Sequence, residues 1–208
     1  MLACCKLYLV GGYGRHRDPL ASVEVFELAS KVLRQCAPLP HPVRRPAAAI
    51  WMGQLVVVAD GDANESIGAN CNGGQIFAYQ EDKDAWERLA GPILPQGVDR
   101  CVASSSVNSD LYLTSTFSRA ITRVSYDLNG YNLKSVGQFS KEAGNVCMVG
   151  SMLYNFYSEE FGDERVVESL NTETGVFTVH LNEEIPQWDF SPAPQYSYGC
   201  FPMLAYSL

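Results

Sequence analysis

A short hydrophobic phrase recurs along the chain of 208 residues, and its spacing limits the possible fold more than any other feature. Successive phrases start 48 residues apart (55 minus 7), then 56 (111 minus 55) and 42 (153 minus 111). A period of this size, carried by β-branched and aromatic residues, indicates repeated small β-sheets rather than helical repeats. The phrase is LYLVGG at 7–12, LVVVADG at 55–61, LYL at 111–113 and LY at 153–154.

Each phrase has similar neighbours on both sides. A polar residue followed by small or apolar residues lies upstream, at RPAAA (45–49), RCVA (100–103) and NVCMV (145–149). A second apolar run lies downstream, at VEVF (23–26), IFAY (76–79), TRVSY (122–126) and VVESL (166–170). After a polar turn comes a fourth run, at VL (32–33), WERL (86–89), NLK (132–134) and GVFT (175–178). Four short strands per repeat predict one four-stranded antiparallel blade of a β-propeller.

The repeats resemble those of the kelch family. The family mark is a glycine pair that ends the second strand, followed by a Tyr and, about six or seven residues later, a Trp. Gly11 and Gly12 match the glycine pair, and Tyr79 and Trp86 match the two aromatic positions in the second repeat. No single repeat carries every mark, so the resemblance depends on repetition along nearly the whole chain.

The resemblance implies an all-β fold, a kelch-type β-propeller of about four four-stranded antiparallel blades in one domain, 1–208. The predicted blades are 1–43, 44–98, 99–143 and 144–196, with a closing strand at 197–208. Residues 199–206 are expected to pair beside the strand at 7–10, because the first repeat lacks a first strand. Kelch propellers usually have about six blades, so the chain is expected to be part of a six-bladed ring in a longer protein.

The composition agrees with an all-β chain of many turns, since it includes 11 prolines and 17 glycines and only 18% charged residues. The net charge of −8 argues against binding to nucleic acid, which needs clustered Lys and Arg. No apolar run approaches the length of about 18 residues needed for a membrane span. The opening residues lack the basic region of a secretory signal, so the sequence predicts a cytoplasmic protein.

The seven cysteines are interpreted as free thiols. Their number is odd, none forms a Cys-x-x-Cys pair, and no secretory signal is predicted, which favours a reducing compartment. Cys101, Cys147 and Cys200 lie near the starts of successive predicted first strands. A small apolar side chain suits a crowded inner strand, so these three are expected to be buried.

The sequence has no strong catalytic or metal-binding motif. The kelch architecture also occurs in galactose oxidase, where Tyr, His and Cys hold copper. Here His16, His41 and His180 lie in different repeats, and none has ligand spacing to another His or Cys. The sequence therefore predicts a non-catalytic protein without a cofactor or a metal.

Binding residues are expected in the loops, because the strands of a propeller form its scaffold. The loops between the second and third strands contain Arg15 and Arg17 in the first repeat, Asn64 in the second and Arg119 in the third. A protein or peptide is the expected ligand of this loop face.

The family resemblance adds a second set of positions. Kelch-like ubiquitin-ligase receptors use the residue just before each first strand to grip acidic peptides, and the matching residues here are Arg45, Arg100, Asn145 and either Ser197 or Tyr198. Arginines at such positions favour bidentate contacts with carboxylates. The alternative is that Arg45 and Arg100 donate hydrogen bonds to the carbonyl groups of blade connections, and the sequence leaves both possibilities open.

Two main classes of function follow. The first is a protein-binding module, the substrate-recognition region of an adaptor for a cullin-RING ubiquitin ligase, with the cullin contacted through regions outside this chain. The second is a cytoskeletal or scaffolding kelch protein associated with actin. A propeller enzyme of the galactose-oxidase type is the least favoured class.

Overall fold

The computed structural model describes residues 6–59, 74–95, 97–98, 100–103, 110–115, 118–158 and 165–180. Within these residues the chain is all-β, with fifteen strands and no helix. The search for a helix long and apolar enough to cross a membrane accordingly finds none in this described part. The predicted all-β class is confirmed.

The strands form four antiparallel sheets, each built from consecutive strands. Sheet 1 contains β1 (Lys6–Val10), β2 (Val23–Glu27) and β3 (Val32–Cys36). Sheet 2 contains β4 (Ala47–Trp51), β5 (Gln54–Ala59), β6 (Gln75–Gln80) and β7 (Ala85–Arg88). Sheet 3 contains β8 (Arg100–Ala103), β9 (Leu111–Thr114), β10 (Ala120–Asp127) and β11 (Gly130–Gln138). Sheet 4 contains β12 (Asn145–Val149), β13 (Met152–Ser158), β14 (Arg165–Asn171) and β15 (Phe177–His180).

The strand order predicted from the repeats is confirmed. β8 and β12 have the bounds predicted from the sequence. β11 extends well beyond the predicted run at 132–134, because it stays paired with β10 across a register shift between Ile121 and Thr122. Sheet 1 has three described strands, which agrees with the absence of a first strand from the first repeat. The predicted closing strand, 197–208, lies outside the described residues.

Sheet 2 shows why the central strands are continuously apolar. Side chains alternate between the two faces of a strand. In β5, Val56 and Val58 pack toward sheet 3, whereas Leu55 and Val57 pack toward sheet 1. All four side chains are buried. A strand with neighbours on both faces has no position for a solvated side chain, which explains the unbroken run of the phrase.

Three hydrophobic clusters join the four sheets in chain order. Their members include Val25 and Phe77 between sheets 1 and 2, Trp51 and Leu111 between sheets 2 and 3, and Tyr112 and Leu153 between sheets 3 and 4. The first strands also lie together, since β8 contacts both β4 and β12. Sheets that stack face to face with their first strands side by side have the arrangement of propeller blades.

The described cysteines, Cys36, Cys101 and Cys147, carry reduced thiols. Cys101 is buried in the cluster between sheets 2 and 3, as predicted for a first strand. Cys147 is only half-buried, because its side chain lies on the face of β12 opposite to sheet 3, and this burial raises the pKa of its thiol. Cys200 lies outside the described residues.

Gly130 marks the closest approach between sheet 3 and the chain segment that precedes it. Its φ is 121°, and a Cβ atom at this position would collide with the carbonyl group of Ala90. The neighbouring Tyr131 N–H donates to the same carbonyl at 2.9 Å. A side chain at Gly130 would therefore separate two groups that form a hydrogen bond.

We expect Gly130→Ala to destabilise the protein more than Gly53→Ala. Gly53 also has a positive φ, 77°, but a Cβ atom there meets nothing within 4 Å. Its substitution adds only left-handed backbone strain, about 1 kcal/mol, whereas the collision at Gly130 adds roughly 1–3 kcal/mol more. Urea unfolding of both variants measures the difference, and equal losses of unfolding free energy would contradict the expectation.

Candidate functional site

The described parts of the loops after the second strands and of the linkers between sheets lie at one end of the molecule, which we call the loop–linker end. The first, second and third linkers are residues 37–46, 89–99 and 139–144. Both kinds of segment leave an antiparallel sheet on the same side. Backbone hydrogen bonds join them at three places, from Gly12 N–H to Val43 O at 2.8 Å, Leu94 N–H to Gly74 O at 3.1 Å and Phe139 N–H to Arg119 O at 2.9 Å.

The first linker is held by the sheet that follows it, sheet 2. The indole N–H of Trp86 donates to the Ala37 carbonyl at 2.8 Å, and Asp84 Oδ1 accepts the Ala37 N–H at 2.7 Å. The Tyr79 hydroxyl donates to the same carboxylate at 2.5 Å. The Tyr79 hydroxyl and the Ala37 N–H together hold the pKa of Asp84 below its usual range. The two aromatic residues that carry the family resemblance therefore help to fix the linker.

The second linker is held by sheet 3 through one residue. Tyr131 N–H donates to the Ala90 carbonyl, and the Tyr131 hydroxyl donates to the Pro92 carbonyl at 2.6 Å. Burial of the Tyr131 side chain raises the pKa of its hydroxyl, so the group stays a donor. Gly91 lies against the Tyr131 ring, where a Cβ atom would collide with the ring carbons. The linker thus runs in contact with the aromatic face.

The third linker is held by two fully buried polar side chains of sheet 4, Asn155 and Glu168. Asn155 Oδ1 accepts the Gly144 N–H at 2.8 Å, and its amide group donates to the Glu142 carbonyl at 3.2 Å and to Glu168 Oε2 at 3.1 Å. Glu168 Oε1 accepts the Ser140 N–H at 2.8 Å. Buried polar groups need such partners, so this cluster requires the linker to stay in place.

We expect Glu168→Ala to lower the free energy of unfolding by about 2–4 kcal/mol, because it leaves the Ser140 N–H and the Asn155 amide without their buried acceptor. Glu173→Ala is the matched control, since Glu173 is an exposed glutamate in the turn between β14 and β15. The control should change stability by less than about 0.5 kcal/mol. Denaturant unfolding measures both changes, and similar values for the two variants would contradict a role for Glu168 in holding the linker.

The structure places most of the predicted binding residues at the loop–linker end. Exposed side chains there are Arg15, Arg17, Arg45, Arg119 and Asn145. The first two belong to the loop after β1, and the third to the first linker. Asn64 and Tyr198 lie outside the described residues, as does Ser197.

Arg100 and Arg119 also contact the third linker. Arg100 is half-buried, and its Nε donates to the Gly144 carbonyl at 3.0 Å. Arg119 Nη1 donates to the Ser140 carbonyl at 2.6 Å. For Arg100, this is the hydrogen bond to a blade connection that the sequence left open as an alternative. The two arginines therefore support the linker, whatever else they bind.

Two further cations at the loop–linker end were not predicted from the sequence. Arg44 is exposed in the first linker, directly before Arg45. Lys141 is half-buried in the third linker, with its ammonium group 6.0 Å from the centre of the Tyr157 ring. The doublet at 44–45 is a signal that would have identified Arg44. The sequence has no comparable signal for Lys141, because its position depends on where the linker crosses sheet 4.

The described charges differ between the loop–linker end and the hairpin turns. The loop–linker end carries seven described cations against two described carboxylates, namely Arg15, Arg17, Arg44, Arg45, Arg100, Arg119 and Lys141 against Asp18 and Glu142. The hairpin turns 28–31, 81–84, 127–130 and 172–176 carry five carboxylates, Glu81, Asp82, Asp84, Asp127 and Glu173, against Lys31 and Lys83, and Asp84 contacts the first linker. The segments 60–73 and 159–164, which follow β5 and β13 and lie outside the described residues, contain seven carboxylates and no Lys or Arg.

The three histidines weighed in the sequence as metal ligands lie in different segments of the structure, and two of them contact an aromatic ring or a hydroxyl group. His41 packs its ring edge-on against Phe77, with 5.4 Å between centres, and His180 Nε2 lies 3.0 Å from the Ser169 hydroxyl. His16 is exposed in the loop after β1. In the part of the chain that the structure describes, no three His, Cys, Asp or Glu side chains are grouped to hold a metal ion.

A scan against protein-family models gives no match, and a search of curated proteins gives no significant one. The architecture of stacked antiparallel sheets is therefore the finding on which a proposal about function depends.

Proposed function

We propose that the chain is a non-catalytic, kelch-type protein-binding module that captures acidic peptides at its loop–linker end. Its setting would be the substrate-recognition region of an adaptor for a cullin-RING ubiquitin ligase. One observation carries the binding part of this proposal: three exposed arginines, Arg15, Arg17 and Arg45, lie on a loop and a linker that a backbone hydrogen bond joins. The adaptor part depends on the kelch resemblance of the repeats.

Arg15, Arg17 and Arg45 are the best candidates for direct contact with a ligand. Their side chains are exposed, and they belong to a loop and a linker that the Gly12–Val43 hydrogen bond holds together. A guanidinium group offers two parallel N–H donors to a carboxylate, so each arginine suits one acidic side chain. Arginine clusters on a fixed scaffold are a recurrent way of recognising acidic motifs.

The backbone conformation at two of the arginines is restrained. Arg17 has φ 62° and Arg119 has φ 58°, both in the left-handed region, which costs a residue with a side chain roughly 1 kcal/mol. Lys31, Met52 and Asp84 in the hairpin turns adopt the same conformation, so the backbone of the two arginines reflects turn geometry and does not by itself indicate a binding site.

The net charge of −8 does not prevent this binding. Exposed charges farther than about 8–10 Å from the bound carboxylate are largely screened at physiological salt, whereas an arginine in direct contact is not. We therefore expect affinity to fall with added salt and the ligand to be selected by its acidic residues.

We expect Arg45→Ala to weaken binding of an acidic peptide by about tenfold, which corresponds to 1.4 kcal/mol. The probe is a fluorescein-labelled peptide pool rich in Glu and Asp, followed by fluorescence polarisation. Lys83→Ala is the control, because it removes an exposed cation from the hairpin turn 81–84, outside the loops and linkers that carry the arginines. Equal effects of the two variants would contradict binding at the loop–linker end, and unchanged binding by a combined Arg15→Ala and Arg45→Ala variant would place the ligand elsewhere.

Arg100→Ala should behave differently from Arg45→Ala. The substitution removes the hydrogen bond to the Gly144 carbonyl, so we expect a loss of about 1 kcal/mol in unfolding free energy. Arg45→Ala should leave stability within about 0.5 kcal/mol of the parent protein. Thermal unfolding compares the two, and a greater loss for Arg45→Ala would show that the exposed arginine is the structural one.

The adaptor role is tested by identifying the proteins that bind to the full-length gene product in cells. The tagged full-length gene product is enriched from cells, and mass spectrometry identifies what purifies with it. A cullin subunit among the specific partners supports the ubiquitin-ligase role. Actin or actin-binding proteins without a cullin would instead favour the cytoskeletal class.

A further inference from the structure

The first and last sheets each have an apolar face that points away from the other described sheets. On sheet 1 this outer face carries Leu7, Leu9, Phe26 and Leu33, with Leu7, Phe26 and Leu33 side by side across the three strands, and the polar Glu24 and Gln35 beside Leu9. On sheet 4 it carries Cys147, Val149, Tyr154, Phe156 and Val167, with the rings of Tyr154 and Phe156 stacked 6.2 Å apart, and the hydrogen-bonded pair Ser169 and His180. Opposed residues of antiparallel strands share a face, so the pairing registers define both sets.

These outer faces are not buried like the others. Leu33 is 54% exposed and Val149 is 63% exposed, whereas Val56 and Val57 on the two faces of sheet 2 are at most 1% exposed. None of the residues of the outer faces belongs to the three hydrophobic clusters of the described chain. Contiguous exposed apolar surface of this kind marks an interaction site.

The two outer faces are complementary in type. In sheets 2 and 4, the face that meets the preceding sheet carries a cross-strand pair seven residues apart, Tyr79 with Trp86 and Leu170 with Phe177. Phe26 and Leu33 form the equivalent pair in sheet 1, with the same spacing. The outer face of sheet 1 therefore has the form that receives a preceding sheet, and the outer face of sheet 4 is the one opposite to its contact with sheet 3.

We propose that the outer face of sheet 4 in one copy of this chain docks on the outer face of sheet 1 in a second copy. The contact would continue the packing already present three times within the chain, in which one sheet lies on the next. Because the two faces differ, the association is head-to-tail, and each copy keeps one face open until a ring closes. The proposal does not depend on the proposed function, since neither face lies at the loop–linker end.

The test uses one charge on each face of the complete chain. Leu33→Glu blocks the face of sheet 1, and Val149→Glu blocks that of sheet 4; both side chains are exposed enough for the folded monomer to tolerate the change. Leu128→Glu is the control, because Leu128 is a fully exposed apolar residue in the turn between β10 and β11. Light scattering after size-exclusion chromatography gives the mass, and circular dichroism confirms folding.

We expect the parent chain and Leu128→Glu to exceed the monomer mass of 22.9 kDa as concentration rises, and each blocked variant alone to stay monomeric. Mixing the two blocked variants should restore a dimer, because each retains the face that the other lacks. If Val149→Glu does not fold, Phe156→Glu takes its place on the same face. A parent chain that is monomeric at every concentration, or blocked variants that still associate, would overturn the proposal.

Discussion

The attachment of each linker to the sheet that follows it is the interaction on which the rest of the structure depends. The strands pair only with near neighbours in the chain, so the backbone ladders of the described residues end at each sheet. Linker N–H and C=O groups that lie against a sheet are partly shielded from water and need partners within the protein. The side chains of Trp86, Tyr131 and Asn155 supply those partners in sheets 2, 3 and 4. Once the linkers are fixed, the apolar faces of consecutive sheets meet in register.

The same linkers carry the candidate site, and this links stability to recognition. In the third linker, Glu168 accepts the Ser140 N–H and Arg100 donates to the Gly144 carbonyl, so these two backbone groups already have partners. The first linker is fixed at Ala37 and Val43, which leaves the doublet Arg44 and Arg45 exposed on a restrained backbone. A binding group on a restrained backbone loses less entropy when a ligand arrives.

The sequence predicted most of the strands because their burial follows from pattern alone. The run 55–59 of β5 has no polar residue, which predicts a strand buried on both faces. β8 and β12 begin at a polar residue followed by apolar ones. Glu168 could not be predicted, because a glutamate within an apolar strand looks the same whether it faces water or a linker. Its role depends on the position of Ser140, which is 28 residues away in the chain. The contact of Arg100 was one of two open possibilities for the same reason, since sequence spacing does not show which carbonyl group lies nearby.

The linker contacts also explain why the repeat is easier to recognise in the structure than in the amino-acid sequence. Each sheet must provide donors and acceptors for a few linker groups, but no single residue type is required to do so. Sheet 2 uses an indole and a carboxylate, sheet 3 uses a phenol with its own backbone N–H, and sheet 4 uses an amide and a buried carboxylate. Selection on hydrogen bonding alone therefore lets the Tyr and Trp marks change from repeat to repeat, while the spacing of strands stays within narrow limits. The apolar phrases persist because dispersion and burial require large hydrophobic side chains at those positions in every sheet.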